Sequence, residues 1–209
     1  MKKIFITATN TDIGKTYTTL KLYDKLQKKG ISVCMLKPIE TGVEETPLDA
    51  SRFYELQKQN FLSINDVVFF TYKLAAAPYI ASKKRYIDTQ EIIKKIEKLQ
   101  KDFEIILIEG AGGLYVPINK DYFMIDMIKE INPGLTLLVT HCKLGCINDT
   151  LLSKEALKNY GINHKVIFNC MQQYDEFEKL SKPFFDDIGF DMLEIDKDIE
   201  KIVQNIMKD

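Results

Sequence analysis

The tripeptide Gly14-Lys15-Thr16 carries the clearest chemistry in this sequence. It follows an apolar run that predicts a strand and precedes a helical pattern, which is the context of a Walker A phosphate loop. In such a loop, backbone amides and the helix N-terminus hold phosphate, the lysine reaches the β- and γ-oxygens, and the hydroxyl binds Mg²⁺. The first glycine of the usual motif would fall at Thr9 and is absent, so the alternative is an incidental Gly-Lys-Thr at a helix start.

Glu109 directly follows the apolar run 105–108 and precedes the glycine-rich stretch 110–113. We therefore expect it at the carboxyl end of a buried strand beside the phosphate loop, where it would hold Mg²⁺ directly or through water. The glycines would let the backbone approach a ligand closely. An ordinary polar strand end is the alternative.

Lys37 ends a second apolar run, and Pro38 keeps the chain extended after it. Ligands of open α/β sheets bind at the carboxyl ends of the strands, so Lys37 should face the same crevice as the phosphate loop. There it would stabilise a transferring phosphoryl group, whereas a solvated strand end is the alternative. Downstream, Asp49 at a predicted helix start is the most plausible metal ligand.

These residues require strands and helices to position them, and short apolar runs do alternate with helical patterns along the chain. The pattern predicts an α/β fold: one three-layer domain over residues 1–209, with a mostly parallel sheet of about seven strands and helices on both faces, as in P-loop NTPases. The predicted strands are residues 3–7, 33–37, 67–72, 104–108, 135–140, 165–169 and, more weakly, 192–195. The predicted helices are residues 14–29, 48–59, 88–101, 122–131, 148–160, 176–185 and 198–208.

The charge balance excludes some classes of function. The 209 residues include 29 Lys and Arg against 30 Asp and Glu, a net charge of -1, which disfavours a nucleic-acid binder or a polybasic membrane protein. Arg52 and Arg85 are the only arginines, so phosphate recognition would rely on lysine. The sequence has neither a membrane-spanning apolar run nor a signal peptide, which favours a cytoplasmic protein.

The four cysteines are sparse, and the sequence favours buried thiols in a reducing compartment for all of them. Cys142 and Cys146 lie close to His141, but no second pair of ligands with zinc-finger spacing is present. A metal-thiolate site is therefore disfavoured.

Taken together, these features resemble the dethiobiotin synthetase family over most of the chain. Each motif occurs in other P-loop enzymes, but the set in this order is specific. The motifs are the variant phosphate loop from Thr9-Asn10-Thr11 to Gly14-Lys15-Thr16, Lys37-Pro38 with Thr41-Gly42, Leu48-Asp49-Ala50, Glu109-Gly110-Ala111-Gly112-Gly113, Lys143-Leu144-Gly145-Cys146-Ile147-Asn148, and Asn169-Cys170.

The resemblance implies an ATP- and Mg²⁺-dependent ligase of biotin biosynthesis. One amine of 7,8-diaminononanoate would capture CO2 as a carbamate, which attacks the γ-phosphate of ATP to give a carbamic-phosphoric anhydride. The second amine would then close the cyclic urea of dethiobiotin. In this family the loop that binds the substrate carboxylate comes from the neighbouring subunit, which implies a homodimer with active sites at the interface.

The resemblance also assigns site residues. Those expected in catalysis are Lys37, Lys15 and Thr11. Those expected to bind ATP are Asp12, Ile13, Gly14, Lys15, Thr16, Tyr17, Asp49, Glu109, Gly110, Ala111, Gly112, Asn169 (the purine contact) and Cys170. Those expected to bind the substrate are Thr41, Leu144, Gly145, Cys146, Ile147 and Asn148, and those expected to hold Mg²⁺ are Thr16, Asp49 and Glu109.

Three positions depart from the family pattern. Ala8 replaces the usual first glycine of the phosphate loop. Tyr79 follows Pro78, a position at which members of the family commonly have a histidine. Residues 189–193 lack the proline-containing segment that binds the base. We therefore expect weaker discrimination among nucleotide bases than in relatives that have this segment.

Three other functions are compatible with a phosphate loop. A partitioning-type ATPase would carry a signature lysine at position 10, where this chain has Asn10. An amide-forming cobyrinate-type ligase would normally need a glutamine-hydrolysing domain, for which 209 residues are too few. A nucleotide-binding protein without catalysis remains the simplest alternative.

Overall fold

A sheet of six parallel strands forms the centre of the protein. The computed structural model describes residues 1–60 and 62–208, except for the Gln172 side chain. In this part of the chain the strands are β1 (Lys2–Ala8), β2 (Val33–Leu36), β3 (Ile39–Thr41), β4 (Phe70–Tyr72), β5 (Ile105–Gly113), β6 (Pro117–Asn119), β7 (Tyr122–Phe123), β8 (Leu135–His141), β9 (His164–Asn169) and β10 (Leu193–Glu194). The order across the central sheet is β10-β9-β8-β1-β5-β2, while β3 pairs with β4 and β6 pairs with β7.

Helices cover both faces of this sheet. In the described residues they are α1 (Lys15–Lys28), α2 (Leu48–Leu56), α3 (Ile64–Val67), α4 (Pro78–Ala81), α5 (Thr89–Leu99), α6 (Met124–Ile131), α7 (Cys146–Asn159), α8 (Tyr174–Leu180), α9 (Lys182–Asp187) and α10 (Ile199–Lys208). Short 3₁₀ turns lie at Lys58–Asn60 and Met171–Gln173.

Strand alternation explains the three layers. Successive side chains of a strand point to opposite faces, so Ile4 and Ile6 of β1 pack in one core and Phe5 packs in the other. The first core joins the sheet to α1, α2 and α10, and the second joins it to α5, α6 and α7. Because both faces are apolar, the central strands read as nearly continuous apolar runs, as the sequence predicted.

The α/β class is confirmed, and the central sheet has six strands where about seven were expected. The difference lies at residues 67–72. Val67 ends α3, and β4 pairs with β3 outside the central sheet. The exposed Thr71 between half-buried neighbours shows why, since a strand covered on both faces would be buried throughout.

The single helix predicted at residues 176–185 is divided into two helices in the structure. Leu180 ends α8, and Pro183 lies in the first turn of α9. Proline is tolerated in a first turn because its missing N–H has no acceptor there. Among the described residues, no helix combines the length and apolar character needed to cross a membrane.

Candidate active site

The register of the sheet brings Lys37 and Glu109 together. Leu36 at the end of β2 is paired with Ile108 of β5, so the next residue on each strand emerges at the same place. The Lys37 Nζ lies 2.5 Å from Glu109 Oε1, and the Glu109 side chain is 0% exposed. The predicted neighbours therefore form a buried ion pair, although β5 continues to Gly113, so that Glu109 lies within the strand.

Two threonines of α1 complete the surroundings of Glu109. Thr16 Oγ1 donates to Glu109 Oε1 at 2.9 Å, and Thr19 Oγ1 donates to Oε2 at 3.1 Å. Thr16 was expected from the phosphate-loop motif, whereas Thr19 lies outside that motif. A buried threonine one turn beyond the phosphate loop was the available signal, because a polar side chain on the inner face of a helix needs a partner.

Asp49 forms the other side of the cluster. Its Oδ2 lies 3.2 Å from Lys37 Nζ, so the ammonium bridges two carboxylates. Glu40, which the sequence analysis did not select, accepts hydrogen bonds from the Asp49 and Ala50 amides at 3.0 and 2.9 Å. This buried carboxylate caps the first turn of α2 and so fixes the position of Asp49.

The two lysines respond differently to burial. Burial and the nearby charge of Lys37 lower the pKa of Lys15 to about 8, and its Nζ donates to the Asn10 carbonyl at 3.0 Å. Burial also opposes the charge of Lys37, but Glu109 and Asp49 outweigh this effect and raise the pKa of its ammonium. Among the described residues, Lys15 forms no ion pair with a carboxylate as Lys37 does, and an anionic ligand would supply such a partner.

The phosphate loop (residues 8–16) packs tightly against its surroundings. A Cβ on Gly113 would lie 3.1 Å from the Thr9 carbonyl oxygen, so this position requires a glycine for the approach of two backbones. Asn169, the last residue of β9, donates from Nδ2 to the Ile13 carbonyl at 2.8 Å. Its buried Oδ1 has no hydrogen-bond partner within the described residues, which leaves an acceptor beside the loop.

The donors of the cluster suit Mg²⁺. No group of three or more His, Cys, Asp or Glu side chains that could hold a metal lies in the described part of the chain. However, Asp49 and Glu109 already converge on one cation, the Lys37 ammonium, and the Thr16 hydroxyl lies beside them. Two carboxylates and a hydroxyl fit an ion that takes its other ligands from phosphate and water.

The second predicted loop, residues 143–148, lies at the end of β8. Its first three residues are exposed, and Cys146, which begins α7, is fully buried. The Cys146 amide donates to the Lys143 carbonyl at 3.0 Å, while the next two amides have no acceptor within the helix. In the described residues, no side-chain hydrogen bond joins this loop to the Lys37–Glu109 cluster of the same chain.

The expectation of four free thiols is wrong for two of the cysteines. Cys142 and Cys170 form a disulfide with Cα atoms 4.8 Å apart, while Cys34 and Cys146 are buried thiols. The cause is the pairing of His141 with Asn169, which places the following residues side by side. In this state the Cys170 sulfur is bonded to Cys142 and carries no free thiol, and the Cys146 side chain is fully buried.

In the described residues, no side-chain hydrogen bond joins Thr41 or Tyr17 to the Lys37–Glu109 cluster. Thr41 ends β3 opposite Tyr72, and the Tyr17 hydroxyl donates to Asp196 at 2.6 Å. Asn10, at the position of the partitioning signature lysine, accepts from the Thr11 amide at 2.8 Å and so shapes the phosphate loop locally.

This chain is similar in sequence to one family model and to several named proteins. The family model described as an AAA domain matches residues 2–188. An ATP-dependent dethiobiotin synthetase BioD of Sulfurovum sp. is 46% identical over 191 residues, covering 89% of this chain and 90% of the relative. Relatives with the same description come from Wolinella succinogenes, 36% identical over 99% of both chains, and from Methanocaldococcus jannaschii, 39% identical over 87% of this chain and 86% of the relative.

Solved structures with similar folds are more distant. The MinD cell division protein of Aquifex aeolicus has a TM-score of 0.57 at 18% identity, covering 97% of this chain and 86% of that protein. A plasmid partition protein of Borrelia burgdorferi has a TM-score of 0.60 at 14% identity, covering 99% and 96%. At these identities the likeness shows the P-loop NTPase fold alone, whereas the sequence relatives decide the family: the chain belongs to the ATP-dependent dethiobiotin synthetases.

Proposed function

We propose that the protein forms dethiobiotin from 7,8-diaminononanoate, CO2 and ATP. The observation that carries the proposal is the buried Lys37 ammonium, held between Glu109 and Asp49 directly beside the phosphate loop. This arrangement would provide positive charge where an anionic nucleophile has to approach an anionic triphosphate. A P-loop protein that only binds nucleotide has no need of this second buried cation.

The first chemical step joins the carbamate to phosphate. An amine of the substrate adds to CO2 and loses a proton, and a carbamate oxygen then attacks the γ-phosphorus while ADP leaves. Lys37 would neutralise the carbamate and the transferring oxygens, Lys15 the β- and γ-oxygens, and Thr11 would donate to the transferred group. The energetic contribution comes from charges already in place before the reaction.

The second step closes the ring. The other amine attacks the carbonyl carbon of the mixed anhydride, phosphate leaves, and the amine gives up its proton. Both amines belong to one bound molecule, so the reaction needs no second encounter. Holding the substrate carboxylate at a fixed distance would therefore contribute directly to the rate.

Mg²⁺ would be held by Thr16, Asp49 and Glu109. When bound, it would neutralise charge on the phosphate oxygens of ATP. Lys37 now spans the two carboxylates, and its long side chain would turn towards the phosphate.

The 143–148 loop would bind the substrate carboxylate with the free amides that open α7. We propose that it serves the partner subunit of a homodimer. Leu144 and Leu152 are 79% and 65% exposed, giving the loop and α7 an apolar surface that a second copy would cover. Sedimentation should therefore show a dimer, and Leu152→Glu should weaken it.

A mixing experiment tests this sharing of residues. Lys37→Met should inactivate one half-site, and Gly145→Asp should inactivate the other by repelling the substrate carboxylate. If each site combines Lys37 of one subunit with the loop of another, mixed dimers regain one intact site, giving about a quarter of wild-type activity after random exchange. If each subunit is self-contained, the mixture stays inactive.

The base site would be less selective than usual. Asn169 offers its unpartnered Oδ1 to a purine amino group. Residues 189–193, in contrast, build the fold: Phe190 packs on Phe168, and Leu193 pairs beside β9. Turnover with ATP, GTP and CTP tests this, and strict ATP selectivity would refute it.

We also propose a cytoplasmic location, because ATP is supplied there. In that reducing compartment Cys142 and Cys170 would be adjacent thiols at equilibrium.

The decisive assay supplies Mg-ATP, labelled bicarbonate and diaminononanoate, and scores labelled dethiobiotin. Product should appear only when all three are present. Absence of product from folded, ATP-binding protein would overturn the proposal. ADP release that is independent of diaminononanoate would favour a simple ATPase.

A further inference from the structure

The 143–148 loop has little packing to hold its exposed part. Leu144 is largely exposed, and a Cβ built on Gly145 would meet nothing within 4 Å. The conformation of this part must therefore be set at its ends. Ordering exposed residues costs conformational entropy, so the contacts at the ends must offset it.

His141 contacts both ends of the loop. On one side the Lys143 amide donates to His141 Nδ1 at 3.2 Å, and on the other side Nε2 lies 3.0 Å from Asp149 Oδ2. The other oxygen of Asp149 accepts from Asn148 Nδ2 at 3.2 Å. One imidazole thus joins the start of the loop to the carboxylate that holds its last side chain.

These contacts select one form of the ring. Nδ1 can accept from an amide only when it carries no proton, so the proton lies on Nε2 and is donated to Asp149. An ion pair with Asp149 would instead need an imidazolium, which carries a proton on both ring nitrogens. Its Nδ1 could not accept the hydrogen bond from the Lys143 amide. The His141 side chain is 14% exposed and belongs to the last residue of β8, which gives the ring a rigid base.

We propose that His141 is a positioning residue for substrate binding: as the neutral Nε2–H tautomer it holds residues 143–148 in the conformation that receives the substrate carboxylate. The inference rests on the proposed function of this loop. His141 itself touches no reacting atom, so it acts on the affinity for diaminononanoate.

Three substitutions separate the two bonds. His141→Asn keeps an acceptor near the Nδ1 position, His141→Gln keeps a donor near the Nε2 position, and His141→Ala removes both. In His141→Ala we expect KM for diaminononanoate to rise about tenfold, with kcat and KM for ATP within about twofold. Each amide variant should show a smaller rise. His164→Ala is the matched control. The His164 ring, at the start of β9, hydrogen-bonds the Ile162 carbonyl and not the 143–148 loop, so this variant should keep the wild-type KM values.

Two readouts do not depend on turnover. Nitrogen NMR should show His141 as the Nε2–H tautomer at neutral pH, and amides 143–148 should exchange faster in His141→Ala than in wild type. An imidazolium or an Nδ1–H tautomer would overturn the proposal. An unchanged KM for diaminononanoate would also overturn it. So would changes in kcat and in KM for ATP that are as large as the change in KM for diaminononanoate. If wild type forms no dethiobiotin, the proposed function fails, and the tautomer and exchange data still decide the role of His141 in the loop.

Discussion

The phosphate loop and the 143–148 loop are built on the same local plan. Each follows a central parallel strand and contains a glycine with positive φ (+99° at Gly14, +97° at Gly145) directly before a helix of 14 residues. Their surroundings differ. A Cβ on Gly14 would lie 1.9 Å from Asn169 Nδ2, whereas one on Gly145 would meet nothing within 4 Å.

The difference shows how the two loops are completed. The phosphate loop packs against β5 and Asn169 within its own chain, beside a buried network of charges. The 143–148 loop is exposed and held at its ends. In the proposed function, the phosphate loop would hold the triphosphate within one chain, whereas the exposed 143–148 loop would be completed by the partner subunit and the substrate.

The largest effect should come from removing the buried charge. Lys37→Met should reduce kcat on the order of a thousandfold while ATP still binds, because the transferring group loses its cation. It should also lower the free energy of unfolding by about 3–5 kcal/mol, since Glu109 stays buried without its partner. Lys165→Met, which breaks the exposed pair with Asp191, should cost less than about 1 kcal/mol. Equal losses in the two variants would contradict a special role for the buried pair.

The next largest effect should distinguish alanine substitution at Gly14 from alanine substitution at Gly145. Alanine at either position suffers the left-handed backbone, at about 1–2 kcal/mol, but only Gly14→Ala also collides with Asn169. We expect the Kd for ATP to rise on the order of a hundredfold in Gly14→Ala and to stay within about twofold in Gly145→Ala, as measured by calorimetry. Adding Asn169→Ala to Gly14→Ala should restore stability lost to the collision. If the double variant is no more stable than the single one, strain alone explains the loss.

A smaller effect concerns the disulfide that joins the end of β8 to the end of β9. Its cysteines are 28 residues apart, so replacing both with alanine should lower the free energy of unfolding by at most about 3–4 kcal/mol. A reductant should destabilise wild type by a similar amount and leave the double variant unchanged in urea titrations. Four titratable thiols in protein that is purified without reductant and then unfolded would show that the pair is not oxidised, because all four cysteines are buried in the native state.

The smallest expected effect is the uptake of a proton by Lys15 when ATP binds. Lys15 has a pKa of about 8 in the nucleotide-free protein, so it is half deprotonated there at pH 8, and a bound triphosphate favours its charged form. Binding of ATP at pH 8 should therefore take up about half a proton, and affinity should fall as pH rises through 8. Calorimetry in two buffers of different ionisation enthalpy measures this uptake. Equal apparent enthalpies in the two buffers would contradict it.

The sequence by itself determined the local features. Short, nearly continuous apolar runs between helical patterns indicated the strands of the central sheet. Gly14-Lys15-Thr16 between a strand and a helix indicated the phosphate loop. Lys37 and Glu109 were both expected at one edge, because parallel strands bring their carboxyl ends together. Such features depend on residues within a few positions of one another, which is the range that periodicity reports.

The tertiary structure alone decided which distant residues touch. Periodicity shows which face a side chain occupies but not which strand lies next to it. The β8–β9 register paired Cys142 with Cys170, the β3–β4 pair removed residues 70–72 from the central sheet, and the packing of α1 brought Thr19 to Glu109. The contact of His141 with Asp149 likewise needs the strand end and the first turn of α7 in place, because only the fold brings those two side chains within hydrogen-bond distance.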